Sequence, residues 1–387
     1  MFKNLLNPFN RVTEAESNYF DVLRGGSSLV VFIHHIFIII WEPHIGKAVF
    51  NGFLTESSTA AAAFAVMIFF VLSGFMITFS IYNNLSKNQF EYFDYLKYIK
   101  DRLYRLHPPL LFSMSIVIFV YYFIYLFELH GSRTFIIEGD YFQKIDNITL
   151  SLKGVISNSF YLQNLDASLP FLEMNTPLWS LSFEFWYYVL ALLLTLSLFS
   201  QYKLIFLLLF SGLLLFMSTL SNSFYFAAGA LIWFSGSFLA ILYQSNFLTS
   251  RITKTLSILA FIFFFLLTCY CFIAETKSIF YHLKTHIAGL TFVSYLSVLF
   301  SHSLVRLKMN KRIKFYVSSA KYSYSLYIIH WPLLILTNSL FHNLFHDSVL
   351  IRTIVTVLSF IFIIKVANFS ANIFEDRNKI MSILGTK

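Results

Sequence analysis

Ten long apolar runs constrain this chain more than any other feature of its sequence. Each is about 17 residues or longer, close to the roughly 20 that cross a bilayer as a helix. Only 12% of the 387 residues are charged, against about 25% in soluble domains. The sequence therefore predicts an all-α, multi-pass membrane protein with about ten transmembrane helices, and it argues against a soluble enzyme. The runs cover roughly residues 27–44, 60–82, 109–127, 178–199, 203–220, 223–243, 255–274, 286–303, 322–340 and 353–373.

The basic residues indicate how these spans are oriented. With a cytoplasmic N-terminus, twenty of the 28 Lys and Arg residues fall on inner segments and seven on outer ones, while Lys365 lies within the last span. Cytoplasmic loops carry such an excess, so we predict that both termini lie inside. The net charge of +9 has the same explanation, and we do not expect nucleic acid as a partner. The longest outer loop, residues 128–177, is acidic.

Several kinds of chemistry are unsupported by the sequence. Cys269 and Cys271 lie two residues apart in an apolar run, which favours neither a disulfide framework nor a zinc site. We predict no metal. The chain has no glycine-rich phosphate loop, no GxSxG elbow and no HExxH pair. Its first 25 residues lack the apolar core of a cleavable signal peptide. Any chemistry is therefore expected within the membrane.

Ionisable residues inside a span are costly and call for a reason. Arg24 lies at the inner edge of the first span, and the pair His34 and His35 lies near its middle. Arg24 and His35 are three helical turns apart, so they share a face and are separated by about 16 Å along the axis. His34 is rotated by about 100° from that face, so it should face a neighbouring helix or lipid.

Two further spans carry such residues. Glu184 lies in the fourth span, one turn below Ser180. His330 lies in the ninth and is followed by Trp331 and Pro332. A lone intramembrane histidine or glutamate is as typical of helix-to-helix hydrogen bonding as of catalysis. Both interpretations stay open from the residues alone.

Arg102 and Arg105 form a separate feature at the inner mouth of the third span. Their i, i+3 spacing puts both guanidiniums on one face of a short helix, which Pro108 is expected to close. Two guanidiniums on one face can bind phosphates as a fork. They are also typical of topology and headgroup anchors.

Together these residues resemble the acyltransferase 3 family of multi-pass membrane proteins, which O-acylate cell-surface glycans and related acceptors. The resemblance runs from about residue 17 to 376. We therefore expect a single membrane domain, 1–387, with no fused soluble esterase-like domain. Two positions depart from the family pattern. Met67 stands where an acidic residue is common, and Glu375 is followed by Asp376 and Arg377 where the family often has Glu-x-Pro. The segments that carry the resemblance are Arg24-Gly25 with His35, Phe69 to Phe75, Arg102 with Arg105 and Pro108, Trp179-Ser180-Leu181 with Glu184, and Ser323 to Tyr327 with His330 and Pro332.

The resemblance implies transfer of an acyl group, most simply acetyl, from cytoplasmic acetyl-CoA to a hydroxyl group. We assign His35 and Glu184 to catalysis. A neutral imidazole in a span can accept the hydroxyl proton, which makes His35 the expected base. Glu184 is placed with His330 in the acceptor half of the cavity. Arg102 and Arg105 are expected to bind the CoA phosphates, helped by Arg24. Further candidate site residues are Ser73, Trp179, Ser180 and Tyr327, although no serine is required as a nucleophile.

The expected partners follow from this function. They are acetyl-CoA, as a substrate with no other cofactor, a polysaccharide or its lipid-linked precursor, and membrane lipid, in a bacterial cytoplasmic (inner) membrane. The alternative is a secondary transporter or flippase for a lipid-linked glycan, which would typically show repeated halves that this sequence lacks. A glycan polymerase or ligase would be expected to place its large outer loop late in the chain.

Overall fold

A computed structural model shows an all-α chain, as predicted. It describes residues 11–41, 53–129, 150–163, 165, 169, 172–219, 223–273, 279–307, 309–377 and 379–380, and these contain no β-strand. Twelve α-helices lie in this part of the chain. In order they are α1 (Glu14–Ile36), α2 (Phe53–Lys87), α3 (Tyr95–Leu126), α4 (Leu152–Ser159), α5 (Trp179–Phe199), α6 (Lys203–Thr219), α7 (Ser223–Gln244), α8 (Arg251–Ile273), α9 (Ile279–Ser301), α10 (Lys311–Ser319), α11 (Ser323–Asp347) and α12 (Val349–Ser370).

Each of the ten predicted spans overlaps one of these helices. Eight helices of the described chain are long and apolar enough to cross a membrane. The other two predicted spans correspond to α6, which is apolar but has only 17 residues, and α11, which has 25 residues but contains several polar side chains. The multi-pass fold is thus confirmed. Lys47 and residues 130–149, most of the predicted acidic outer loop, lie outside the described residues.

Helix α1 begins with a capping box that its sequence encodes. Glu16 accepts a hydrogen bond from the backbone N–H of Thr13 at 2.8 Å, and the Thr13 hydroxyl accepts one from the N–H of Glu16 at 3.3 Å. These bonds satisfy backbone donors that no helical carbonyl can reach. The helix then continues without a break through Arg24, His34 and His35. Their spacing in sequence therefore determines which face of α1 each side chain occupies.

The predicted end of a short helix at Pro108 is wrong. Helix α3 is continuous from Tyr95 to Leu126, with Pro108 and Pro109 inside it. A proline removes one helical hydrogen bond, but leaving the helix inside a bilayer would expose many more backbone groups to lipid. Helix α11 adds a hydrogen bond to this part of α3, because the Tyr324 hydroxyl donates to the Leu106 carbonyl at 2.8 Å.

The described residues form two compact units. The first comprises those of Met1–Ser27, Ala63–Ile99 and Phe183–Val317, and the second those of Ser28–Ala62, Lys100–Ser182 and Ser318–Lys387. In the first unit, α8 packs along α9, and α7 contacts both α6 and α9. In the second unit, α11 packs along α12 and against the 3-10 helix Glu173–Leu178.

Small residues allow close packing within the first unit. Gly74 of α2 lies directly against the backbone carbonyl of Trp233 in α7, and Gly236 of α7 lies against the carbonyl of Val71. Each glycine therefore packs on the backbone of the opposite helix. Such contacts are typical of membrane helices, where close van der Waals packing and not the hydrophobic effect drives association.

The orientation of the termini remains a prediction that labelling can test. In a background with both native cysteines replaced by serine, cysteines introduced at Asn88 and Met309 should resist an impermeant thiol reagent in intact cells. Cysteines at Ser132 and Asp146, which lie outside the described residues, should react. The reason is the excess of Lys and Arg on the first pair of segments. Reaction at Asn88 would contradict a cytoplasmic position for the neighbouring Arg102 and Arg105.

Candidate active site

Two histidines that are 295 residues apart in sequence meet in the second unit. Nδ1 of His35, on α1, lies 2.6 Å from Nε2 of His330, on α11. The rings are almost parallel, with centroids 4.9 Å apart and 6° between their planes. His330 is completely buried, whereas His35 is partly exposed. The pair can thus hold a proton between two imidazoles while one ring stays accessible.

Aromatic side chains surround this pair. The Trp331 indole meets His35 edge-on, with centroids 4.8 Å apart. Phe32 packs against His330 in a similar way at 5.8 Å and stacks on Phe360 of α12 at 5.2 Å. Because apolar walls lower the local dielectric, a charge that forms on either imidazole interacts more strongly with its neighbours than it would in water.

Pro332 explains how α11 is fixed at the level of His330. It has no N–H, so the carbonyl of Ile328, four residues earlier, loses its helical partner. That carbonyl instead accepts hydrogen bonds from Ser113 Oγ of α3 at 2.5 Å and from Asn175 Nδ2 of the 3-10 helix at 2.7 Å. The carbonyl freed by the proline thus joins α11, α3 and the 3-10 helix next to His330.

A carboxylate holds the start of the same helix. Glu375 accepts hydrogen bonds from the backbone N–H of Ser325 at 3.1 Å and from its hydroxyl at 2.6 Å. Negative charge at the first turn of a helix is favourable. The departure from the family pattern near Glu375 therefore lies next to a helix terminus. Arg377 pairs with Asp101 of α3 at 2.6 Å.

His34 has a different environment from His35, as the helical rotation predicts. Its Nδ1 lies 3.1 Å from Ser58 Oγ on α2. His34 therefore faces a neighbouring helix. A hydrogen bond to a serine hydroxyl is an ordinary interhelical contact.

Ser180 and Tyr327 are brought together by a hydrogen bond between their hydroxyl groups. Their oxygens lie 2.6 Å apart, and the Tyr327 hydroxyl donates to the Pro177 carbonyl at 2.8 Å. A phenol has one proton, so the proton between the two oxygens comes from Ser180. Since its proton is engaged in this chain, Ser180 is a structural link between α5 and α11. Trp179, at the start of α5, is half-buried.

Glu184 forms a second polar cluster, in the first unit. One carboxylate oxygen accepts hydrogen bonds from Ser73 at 2.7 Å and from Tyr188. The Ser73 oxygen in turn accepts from the Trp233 indole N–H at 3.1 Å. The sequence placed Glu184 beside His330 in an acceptor half. Ser73 and Tyr188 are the hydrogen-bond partners of Glu184 within its unit, and its placement with His330 stays a prediction.

The three arginines assigned to the donor lie on α1 and α3. Arg24 pairs with Asp21, one turn earlier on its own helix, at 3.2 Å. On α3, Arg102 is half-buried and Arg105 is exposed. Helix α3 is continuous through both positions, so their i, i+3 spacing puts them on one side of it. The donor assignment stays a prediction.

A cleft of about 630 Å³ runs along another side of α3. Its walls are mainly apolar. Among the described residues that line it, Lys100 is the only lysine or arginine, and neither Arg102 nor Arg105 takes part. The cleft therefore offers contacts for hydrocarbon more than for phosphate. It is lined by Lys100, Leu103, Tyr104, His107, Pro108, Leu111, Phe112, Ser115, Phe374 and Ile380.

Met67, the other departure from the family pattern, is buried with 3% of its surface exposed. Its Cβ lies 3.2 Å from the position that a Cβ on Gly289 would occupy. Met67 thus packs tightly against α9. A carboxylate in that contact would require a hydrogen-bond partner.

Sequence reasoning missed the polar groups that support the histidine pair. The candidates did not include Ser113, Asn175 or the Leu326 carbonyl. That carbonyl lies 2.8 Å from His330 Nδ1. Pro332 was a usable signal for the first two, since a proline inside a span leaves a carbonyl that some donor must satisfy. No sequence signal identified which donors those were.

The comparisons with known proteins identify the family of this chain. A family model described as an acyltransferase domain, that of acyltransferase 3, matches residues 17–367. The match spans the candidate residues from Arg24 to His330. No curated protein and no solved structure gives a significant match. The chain belongs to the acyltransferase 3 family.

Proposed function

We propose that this membrane acyltransferase transfers an acetyl group from cytoplasmic acetyl-CoA to a hydroxyl of a cell-surface polysaccharide or its lipid-linked precursor, in a bacterial inner membrane. The observation that carries the proposal is the contact between His35 and His330 within an aromatic enclosure. Acyl transfer to an alcohol needs a base for the hydroxyl proton, and a half-exposed imidazole is suited to that task.

In the proposed reaction, His35 alone takes up the hydroxyl proton and later returns it to the leaving sulfur. The acceptor hydroxyl gives its proton to His35 while its oxygen bonds to the thioester carbonyl carbon. The tetrahedral intermediate then collapses, the C–S bond breaks, and the sulfur leaves with the proton returned by His35. The products are the O-acetyl ester and free CoA thiol. No covalent acyl-enzyme is needed, and Ser73 and Ser180 are both engaged in other hydrogen bonds.

The donor is proposed to bind through Arg102 and Arg105, with Arg24 as a helper. We expect Arg102→Lys and Arg105→Lys each to weaken acetyl-CoA binding by at least about tenfold, because lysine keeps the charge but loses the planar fork. Calorimetric titration of the purified protein would measure this. Arg312→Lys, on the exposed face of α10, is the matched control and should bind normally. Unchanged affinity for acetyl-CoA in both test variants would mean that Arg102 and Arg105 are topology anchors instead.

Release of thiol tests the proposed function most directly. The purified protein should release free CoA from acetyl-CoA when a glycan acceptor is added, and the acceptor should gain the mass of one acetyl group per modified hydroxyl. A transporter, flippase or polymerase would release no thiol. Thiol release from a longer acyl-CoA but not from acetyl-CoA would show that the donor is not acetyl-CoA, although the reaction would still be acyl transfer. Mass spectrometry of surface glycans from cells with and without the protein would identify the acceptor.

A further inference from the structure

The hydrogen bonds around His330 fix the position of its own proton. Its Nδ1 lies 2.8 Å from the backbone carbonyl of Leu326. A carbonyl oxygen can only accept, so Nδ1 must carry the hydrogen. A neutral imidazole has one N–H, which leaves Nε2 of His330 as an acceptor. The backbone of α11 thus sets the tautomer of a side chain in the same helix.

The contact with His330 fixes the position of the His35 proton in turn. Its Nδ1 lies 2.6 Å from the acceptor nitrogen of His330, so it must be the donor in this contact. The N–H of His35 is therefore on Nδ1, and its lone pair is on Nε2. The hydrogen bond made by one ring nitrogen determines which nitrogen is protonated, and here it makes Nε2 the basic atom.

From this chain of contacts we infer that His330 is a positioning residue that holds His35 in the tautomer with a free Nε2. The inference rests on the proposed function, because it takes His35 as the base. It also gives His330 a different role from the one predicted in the acceptor half. In serine hydrolases a buried aspartate orients the catalytic histidine in this way. Here a neutral ring does so, and the relay ends at a backbone carbonyl, so it adds no charge to the membrane interior.

Packing around His330 supports a positioning role. Phe32 and Tyr327 lie against its ring, with centroid distances of 5.8 and 6.1 Å. The junction at the Ile328 carbonyl holds the adjacent turn of α11. The imidazole therefore presents Nε2 to His35 in a fixed direction, which is what orientation of a base requires.

Two substitutions separate this role from simple packing. His330→Gln places an amide oxygen where it can accept from His35 Nδ1–H, whereas His330→Leu fills similar space and accepts nothing. We expect the leucine variant to lose at least about 10²-fold in turnover, as expected for a misoriented general base, with acetyl-CoA binding retained. The glutamine variant should recover most of that loss. His286→Leu, which removes another buried histidine from α9, is the control and should stay active.

The tautomer itself can be measured in protein labelled with ¹⁵N in its histidine rings. Of the 11 histidines, His35 is assigned by the signals missing from a His35→Ala sample. In the unmodified protein its hydrogen should be on Nδ1, and in His330→Leu a population with the hydrogen on Nε2 should grow. The measurement on the unmodified protein needs no variant of His330.

Three outcomes would overturn the inference. They are an Nε2–H tautomer of His35 in the unmodified protein, near-native turnover of a folded His330→Leu variant, and a folded His330→Gln variant as inactive as the leucine one. If the leucine variant does not fold, the ¹⁵N spectrum of the unmodified protein and the activity of the glutamine variant still test the inference. The proposed function fails separately, if the unmodified protein releases no thiol from acetyl-CoA when acceptor is present.

Discussion

His35→Ala should reduce acyl transfer by at least about 10²-fold, because general-base catalysis contributes about 10² to 10⁴. Alanine removes the nitrogen that accepts the acceptor's proton and leaves the predicted donor arginines in place. Expression and acetyl-CoA binding should therefore be retained. Thiol release with acceptor measures the first effect, and calorimetric titration measures the second. Activity of the unmodified protein should also fall at acidic pH, since a protonated imidazole cannot accept another proton.

His34→Ala is the matched control, because it removes the same side chain from the neighbouring position of α1. Its imidazole bonds to Ser58, whereas the imidazole of His35 contacts His330, so the variant should lose far less activity. A fully active His35→Ala protein would refute the assignment of the base. An inactive but folded His34→Ala protein beside an active His35→Ala protein would move the base to the other face of the helix.

Gly74→Ala should lower the free energy of unfolding by about 3 kcal/mol, the upper part of the usual range for overpacking. A Cβ at this position would lie 2.0 Å from the carbonyl oxygen of Trp233 and 3.0 Å from its carbonyl carbon. Both atoms belong to the backbone, so no side chain can rotate away and α2 and α7 must separate. Separation would also stretch the hydrogen bond from Trp233 to Ser73. Thermal unfolding in detergent, followed by circular dichroism, would measure the loss.

Gly212→Ala provides the comparison on an apolar helix. An added Cβ at Gly212 meets no atom within 4 Å, and alanine favours a helix over glycine by about 1 kcal/mol. The variant should therefore unfold at the same temperature as the parent or slightly higher. Equal stability of the two alanine variants would show that the contact between α2 and α7 is looser than the structure indicates.

The sequence was sufficient for the helices and for the local placement of side chains along them. Backbone groups in a bilayer must be satisfied within the chain, so long apolar runs leave helix as the only outcome when strands are not paired into a barrel. The same regularity separates His34 from His35 by about 100°, and the structure confirms different partners for the two. At Pro108 the local rule for proline was misleading, because the cost of leaving the helix in a membrane outweighs one lost hydrogen bond.

Partner choice between distant segments was decided only by the tertiary structure. The sequence identified His35, His330, Glu184 and Ser73 as unusual, but it did not pair His35 with His330 or Glu184 with Ser73. The physical reason lies in the spans themselves. Most are apolar on every side, so their pattern does not mark which face meets which neighbour. The contacts are set by close packing at small residues such as Gly74 and by the donors that reach a carbonyl freed by Pro332, and both exist only once the helices have assembled.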